Sequence, residues 1–485
     1  MGSSDSALSN RLGVSPMGAD LRVVGGTLAT AQGTIEAGFA VEDGTIVAIG
    51  DEQHLPNAEH TLDVAGNMVL PGVVDPHVHI NGFNSIDTYE TGTAAAARGG
   101  VTTVINFAWQ TWTGERERDA DGSVWADSGS LLDAIDRQRE SASEAYVDYG
   151  LHATVTAEDR TVFDEFEAVV EAGVPSFKFF TVYDVGVSNG FLRLAFERLA
   201  DLDAVAVLHT EDDSVCQALT AERRRTDRGH PTDYPGSRPD YAEAMALSDA
   251  VSLATETDCK YYGIHTTSRA AVDELATARE DGTRVRGETC PHFTTLTEDA
   301  YAEQGTMALQ SPPLRTADDV EAMFESLRDG TLDVVSTDHV ASTQAEKTVE
   351  NWWDCPFGVN SLQTALPVFH DEAINRRGLP YSFLVRVLSR NPAQTFGLPQ
   401  KGRLAVGADA DFVVFDPSET YEISATDNAS LADYSIYDGR EVTGKVRETY
   451  LRGRLVADDT GVVGSPRGEY LARDVPTWDP QGGMA

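Results

Sequence analysis

The chain has 485 residues, too many for one ordinary single-core domain but enough for an α/β barrel with additions. Its 78 acidic and 37 basic residues give a net charge of −41, spread along the chain instead of gathered in a tail. That balance argues against nucleic acid and anionic membrane as partners, and predicts a salt-adapted setting in which self-repulsion is screened. Four scattered cysteines without a CxxC, and an N-terminal MGSSDSALSNRLG without an apolar core, predict a reducing, cytoplasmic location. No stretch approaches the roughly 18 apolar residues of a membrane span.

Residues 1–20 are small and polar and read as a flexible tail. Residues 21–72 carry short β-branched runs broken by glycine, with a hairpin signal at Asp43-Gly44. They predict a small antiparallel sheet of roughly four to six strands. At Pro71-Gly72 a different stretch begins, VVDPHVHIN (73–81). On a strand, His77 and His79 leave the same face, a spacing that suits a divalent ion such as zinc. Taken alone, HxH equally fits two hydrogen-bonded histidines at a strand end.

From 73 to 398, apolar strands alternate with helix-like stretches. The strands are VTTVINF (101–107), YVDYGLHATV (146–155), SFKFF (176–180), AVAVLHT (204–210), YYGIHTT (261–267), RVRGETC (284–290) and LDVVSTDH (332–339). This rhythm reads as α/β, a (β/α)8 TIM-like barrel with long insertions. His77, His79, Lys178, His209, His265 and Asp338 fall at or near the carboxyl ends of these strands, the face on which barrel active sites form. After residue 400 the text returns to sheet, in GADADFVVFD (407–416) and EVTGKVRETYLRGRLVADD (441–459). The two strand-rich ends, 21–72 and 399–465, make one discontinuous β-sandwich domain. Residues 466–485 are rich in Pro, Gly and charge, and form either a disordered tail or an arm on a neighbouring subunit.

The six strand-end residues are the minimum for two metal ions. His77 and His79 with Asp338 would hold one, His209 and His265 the other, and an anionic group must bridge two dications about 4 Å apart. Lys178 lies between Phe177 and Phe179, a setting that penalises a free ammonium. It is deprotonated, paired with an acid, or converted by carbon dioxide to a carbamate whose two oxygens reach both metals. A water shared by two ions becomes hydroxide near neutral pH. Asp338 can take the proton of that water and pass it to the leaving nitrogen. Tyr183 offers a donor to a developing oxyanion, or is a loop aromatic capping the barrel. His292 and His339 would orient ligands or are buried polar groups, His152 is an alternative ligand, and His54, His60, His230 and His370 carry no role. GxGxxG before a helix, a Walker sequence and GxSxG are all missing, so neither a nucleotide cofactor nor a serine nucleophile is supported.

With PGVVDPHVHI (71–80), GGVTTVINF (99–107), SFKFFTVYD (176–184), VLHTED (207–212), ETCPHF (288–293), SPPLR (311–315), STDH (336–339) and GKVRETYLRGRLV (444–456), the chain resembles the cyclic amidohydrolases. These are the dihydropyrimidinases and hydantoinases, with allantoinase and dihydroorotase as relatives. The resemblance implies that His77, His79, carboxylated Lys178 (N6-carboxylysine) and Asp338 serve the more buried metal, and Lys178, His209 and His265 the other. It makes Asp338 the proton shuttle, Tyr183 the oxyanion donor and Ser311 a contact to the ring amide through its backbone. It also implies two zinc ions per subunit, with other divalent transition metals open, a homotetramer, and a small cyclic amide as substrate. All ligands are present, unlike in the family's non-catalytic relatives.

Three departures bear on the substrate. Ile80 and Asn81 follow His79, so the arginine by which dihydroorotase-like enzymes take a carboxylate is missing. Pro356-Phe357-Gly358 replaces the usual Pro-Asn-Gly, which puts Phe357 at the substrate and makes the pocket more apolar if the asparagine acts through its backbone. The loop after Asp338 lacks the usual Cys-Pro. The expected activity is ring opening of a dihydropyrimidine or 5-substituted hydantoin to an N-carbamoyl amino acid. The alternatives are allantoinase, another cyclic amide or imide hydrolase, and a non-catalytic binding or scaffold homologue. Trp352 and Trp353 form an apolar wall near the site or cover the barrel rim.

Overall fold

The computed structural model describes residues 18–116 and 124–478; most of the N-terminal tail and the last residues of the C-terminal arm lie outside them. Eight parallel strands form the barrel. The first seven are Val73–His79, Val101–Trp109, Asp148–Thr154, Ser176–Phe180, Val205–His209, Lys260–Gly263 and Val285–Thr289. Their runs are almost continuously apolar because helices cover one face and the barrel interior the other, and every residue of Val101–Trp109 is buried. The eighth strand is split. Val334–Val335 pairs with the seventh strand, while His339–Val340 pairs with the first. The two halves close the barrel around Ser336–Asp338, where the ladder is interrupted and Asp338 takes a left-handed φ of 46°.

Helices between strands begin where a hydroxyl can accept an otherwise orphaned backbone N–H. Ser130, Ser188, Ser268 and Thr316 cap the helices Leu131–Ser141, Asn189–Asp201, Arg269–Glu280 and Ala317–Asp329 in this way. Among the described residues no helix is long and apolar enough to cross a membrane.

A smaller β-domain is built from both ends of the chain, as expected. Its seven-stranded sheet joins Met68–Pro71 antiparallel to Phe412–Glu422, so residues more than three hundred positions apart share a ladder. A four-stranded sheet packs on it through Val23, Phe39, Val41, Ile46, Val69, Phe412 and Tyr450. Asp43 and Gly44 form the expected hairpin, both at positive φ. The N-terminal half, however, is not a single antiparallel sheet. It contributes seven strands to two sheets, and two of its pairings are parallel, Ala19–Val24 with Ala58–Asp63 and Thr27–Thr30 with Met68–Pro71. The cause is local: at Gly25-Gly26, with Gly25 at φ 81°, the chain crosses from one sheet to the other. Successive strands therefore land in different sheets, and each finds its second partner later in the sequence.

Residues 466–478 run along the amino-terminal end of their own barrel. Gly468 donates to Ala145 and Leu471 to Tyr149, and Arg473 reaches Ser176 Oγ at 2.7 Å. Trp478 is buried there, under the guanidinium of Arg286 and bonded to the Thr395 carbonyl. Nearby, Asp148, Asp409 and Asp411 lie close enough to suggest an ion site. The ammonium of Lys401 already fills it, 2.6 Å from Asp148, 2.8 Å from Asp409 and 2.7 Å from Asp411.

Candidate metal centre

The six strand-end residues converge at the carboxyl ends of the first, fourth, fifth, sixth and eighth strands. Val78 points into the barrel wall, which leaves His77 and His79 on the same side with ring centroids 5.3 Å apart. Both Nε2 atoms approach one oxygen of Asp338, at 3.0 and 3.3 Å. Asp75, two residues before His77, accepts from the backbone N–H groups of His77 and Thr337 and so pins the first strand to the split in the eighth. Behind His77, Glu288 lies 2.5 Å from Nδ1 and also accepts from Tyr262.

His209 ends the fifth strand, and His265 follows the sixth at a φ of 37°. Their rings are 4.4 Å apart, and His265 is 5.4 Å from His77, which links the two pairs. Burial depresses the pKa of His79 to about 4 and lowers those of His209 and His265, so these imidazoles are neutral with lone pairs to offer. His77 is the exception. Burial works against its charge, but Asp338 and Glu288 outweigh it and raise the pKa to about 9. A proton on His77 balances the carboxylates in the way a bound cation would.

Lys178 is fully buried on the fourth strand, its Nζ 4.3 Å from the ring centroid of Phe180 and 5.6 Å from that of Phe107. No carboxylate of the described residues lies within ion-pair distance of it. Burial lowers its pKa to about 7, against the pull of Asp338 and Glu288. The donor set of imidazoles, one ionised aspartate and a buried amine that loses its proton near pH 7 fits borderline-soft divalent ions, and His79 Nδ1 and His265 Nδ1 are buried without a partner among the described residues.

Tyr183 stands over His209 at 5.2 Å in a left-handed turn, φ 72°. Its hydroxyl donates to Ser311 Oγ at 2.5 Å; although one edge of the side chain is open to solvent, desolvation of the hydroxyl raises its pKa, which keeps it a donor. Ser311 Oγ continues to Glu211, and the backbone groups of Ser311 bond to none of the described residues. Phe357 lies further out. It stacks on Tyr234 at 5.0 Å, and the guanidinium of Arg238 sits near both its ring and that of Tyr183. Trp352 and Trp353 belong to the same aromatic cluster and cover the rim, Trp352 being bonded to the Arg228 carbonyl.

The remaining histidines separate cleanly. His339 turns away to Asp87 at 2.8 Å and accepts from the Ser361 N–H. His152 lies beneath the centre, bonded to Ser176 Oγ and the Pro76 carbonyl. His292 is buried, and neither ring nitrogen has a hydrogen-bond partner among the described residues. Sequence reasoning did not single out Asp75, Glu211, Arg238 or Glu288. Asp75 and Glu211 each lie two residues from a candidate ligand histidine on a strand, a spacing that could have exposed them; Arg238 and Glu288 have no such signal. Also missed was an aromatic cluster beside His79: Trp109 stacks on His79 at 5.9 Å and on Phe180 at 5.7 Å, with Phe83, Trp112 and Trp125 around it.

An amidohydrolase family profile matches residues 68–456. Allantoinase of Escherichia coli O1:K1 / APEC is 32% identical over 469 residues, covering 94% of this chain and 99% of its own length. Among solved structures, dihydropyrimidinase from Brevibacillus agri NCHU1002 superimposes with a TM-score of 0.88 at 30% identity, over 94% of this chain and 99% of that one. D-Hydantoinase from Bacillus sp. AR9 gives 0.87 at 30% identity with the same coverage. L-Hydantoinase from Arthrobacter aurescens gives 0.84 at 28%, over 92% of this chain and 98% of that one.

Proposed function

Because the chain belongs to the amidohydrolase family and is a metal-dependent hydrolase, we propose that it opens the ring C–N bond of a dihydropyrimidine or 5-substituted hydantoin. The product is an N-carbamoyl amino acid. The observation that carries this reading is the convergence of six donors next to the Tyr183–Ser311 pair. Two zinc ions, held by His77, His79, Asp338, His209, His265 and carboxylated Lys178, would supply hydroxide near neutral pH and polarise the ring carbonyl. Support for the modification is chemical: a buried amine with a pKa near 7 and no carboxylate at ion-pair distance among the described residues has a substantial uncharged fraction at neutral pH and can add carbon dioxide, releasing one proton.

Asp338, ionised through its contacts with His77 and His79, accepts the proton of the attacking water. It returns that proton to the ring nitrogen as the C–N bond breaks. Tyr183 donates its hydroxyl hydrogen to the carbonyl oxygen as charge develops there. Ser311 presents its free backbone N–H and C=O to the ring amide. Phe357 sets an apolar edge one layer out. The aromatic cluster of Phe83, Trp109 and Trp125 supports an apolar ring substituent, and the absence of a cation at Ile80-Asn81 disfavours dihydroorotate.

The relatives support two readings of the substrate. The solved structures are named for dihydropyrimidine and hydantoin hydrolysis, and the curated relatives for allantoin. Purified protein loaded with zinc and bicarbonate should turn over dihydrouracil or a 5-substituted hydantoin faster than allantoin or dihydroorotate. Turnover of allantoin alone would replace the first reading with the second. No turnover, with no metal bound, would leave a scaffold homologue. A homotetramer in a salt-adapted cytoplasm completes the proposal, resting on the family resemblance and the charge of −41.

A further inference from the structure

One buried carboxylate touches both halves of the site. Glu211 stands two residues after His209, fully buried. Its Oε2 accepts from His209 Nε2 at 2.8 Å, from Arg238 Nη1 at 2.6 Å and from Ser311 Oγ at 3.3 Å. Ser311 Oγ in turn accepts from the Tyr183 hydroxyl at 2.5 Å. The backbone is tied across the same gap: Thr181 N–H donates to the His209 carbonyl, and Glu211 N–H to Thr181 Oγ1 at 3.0 Å. The segment carrying Tyr183 and the strand end carrying His209 are thus one unit. Arg238 lies over the Tyr183 ring at 4.9 Å and supplies the charge that balances Glu211.

We propose that Glu211 is a positioning residue that sets a metal ligand and the oxyanion donor together. An ionised carboxylate only accepts, so His209 Nε2 must carry the hydrogen, and Nδ1 keeps the lone pair for a metal ion. Because Ser311 spends its own hydrogen on Glu211, its oxygen is free to accept from Tyr183. The phenol hydrogen is thereby held in one place until the substrate carbonyl replaces Ser311 as its acceptor. Loss of charge at Glu211 loosens both groups, whereas loss of the Ser311 hydroxyl loosens only Tyr183. This inference rests on the reading of His209 as a ligand and Tyr183 as a donor.

The test compares full-length wild type with Glu211→Gln, Glu211→Asp and Ser311→Ala. Zinc bound per chain is measured by elemental analysis after dialysis against chelators of graded strength, beside kcat, KM and Tm. Glu211→Gln should weaken one of the two ions by roughly 10- to 100-fold and lower kcat more than it changes KM. Ser311→Ala should lower kcat while both ions bind as in wild type. Glu211→Asp should recover part of both effects. Glu211→Gln holding both ions at wild-type affinity would overturn the proposal, as would metal and kcat lost only in step with the folded fraction. Zinc uptake needs no substrate. A wild type that binds two ions but opens no cyclic amide therefore defeats the substrate reading and leaves the claim about Glu211 to be decided by the metal measurements.

Discussion

Lys178 and Lys401 are both buried, and the chain treats them in opposite ways. Lys401 sits among Asp148, Asp409 and Asp411, which outweigh the cost of burial and raise its pKa. Lys178 sits over phenylalanine rings with no carboxylate of the described residues at ion-pair distance, and its pKa falls to about 7. A third lysine, Lys347, is a useful control. It too lacks a carboxylate and is lowered to about 8, but it donates to the Leu309 and Gly358 carbonyls. Burial alone, then, does not make a lysine reactive. Among the described residues, Lys178 combines the lack of a close counter-charge and of a hydrogen-bond acceptor with a mouth lined by histidines, the setting the proposed carbamate requires.

Four measurements test the difference between the two lysines. The largest effect is expected for Lys178→Ala, with activity falling on the order of 10³-fold, as for loss of a principal charge-stabilising group. Added short-chain carboxylic acids should restore part of it, and intact-protein mass should show one carbon dioxide on wild type but not on the variant. A near-wild-type rate without added acid would remove the carbamate from the mechanism. Next is Lys401→Met, which leaves Asp409 and Asp411 without their ammonium and Asp148 with the guanidinium of Arg452 alone. It should cost about 3–5 kcal/mol of stability by denaturant titration while kcat per folded molecule is retained. A kcat loss as large as that of Lys178→Ala would erase the distinction between the two sites.

The third measurement uses pH, on metal-free protein with an amine at Lys178. Its folded pKa of about 7 lies below the ordinary 10.5, so the unfolded chain binds more protons between those values. The penalty of burying Lys178 is full below pH 7 and relieved as pH rises to 10.5, so stability measured against Lys178→Met should rise across that window. Lys401, with its pKa raised, shows the reverse: its contribution is complete below 10.5 and lost only above it. The smallest effect is that of salt. Molar salt should raise Tm by screening the surface charge, yet change the Lys401→Met penalty by less than about 1 kcal/mol, because a buried cluster is poorly screened.

The barrel was legible because its strands are apolar through and through. The run Ser176–Phe180 was bounded correctly, and Val101–Trp109 was only two residues longer than read. Asp338 was legible as a strand-end acid, but the break in its strand was not, since VVSTDHV reads as one continuous run. Of the six strand-end residues, His77, His79 and Lys178 could be found because HxH and FKFF concentrate unusual residues in a short stretch. Their supports could not: Glu288 and His77 meet across 211 positions and Lys401 and Asp148 across 253, and only the closed barrel brings them together. The parallel pairs of the β-domain were hidden for the same reason, their partners being fixed by a sheet switch at Gly25-Gly26.

The ladder between Met68–Pro71 and Phe412–Glu422 also orders events in time. A ribosome releases the first of these strands tens of seconds before the second at ordinary elongation rates. Until then Val69 and Leu70 have no antiparallel neighbour, and the floor formed by residues 466–478 arrives later still. Until the last segment is made, the nascent chain leaves a sheet edge and one end of the barrel open, so the molecule places its joints where only the complete chain can close them.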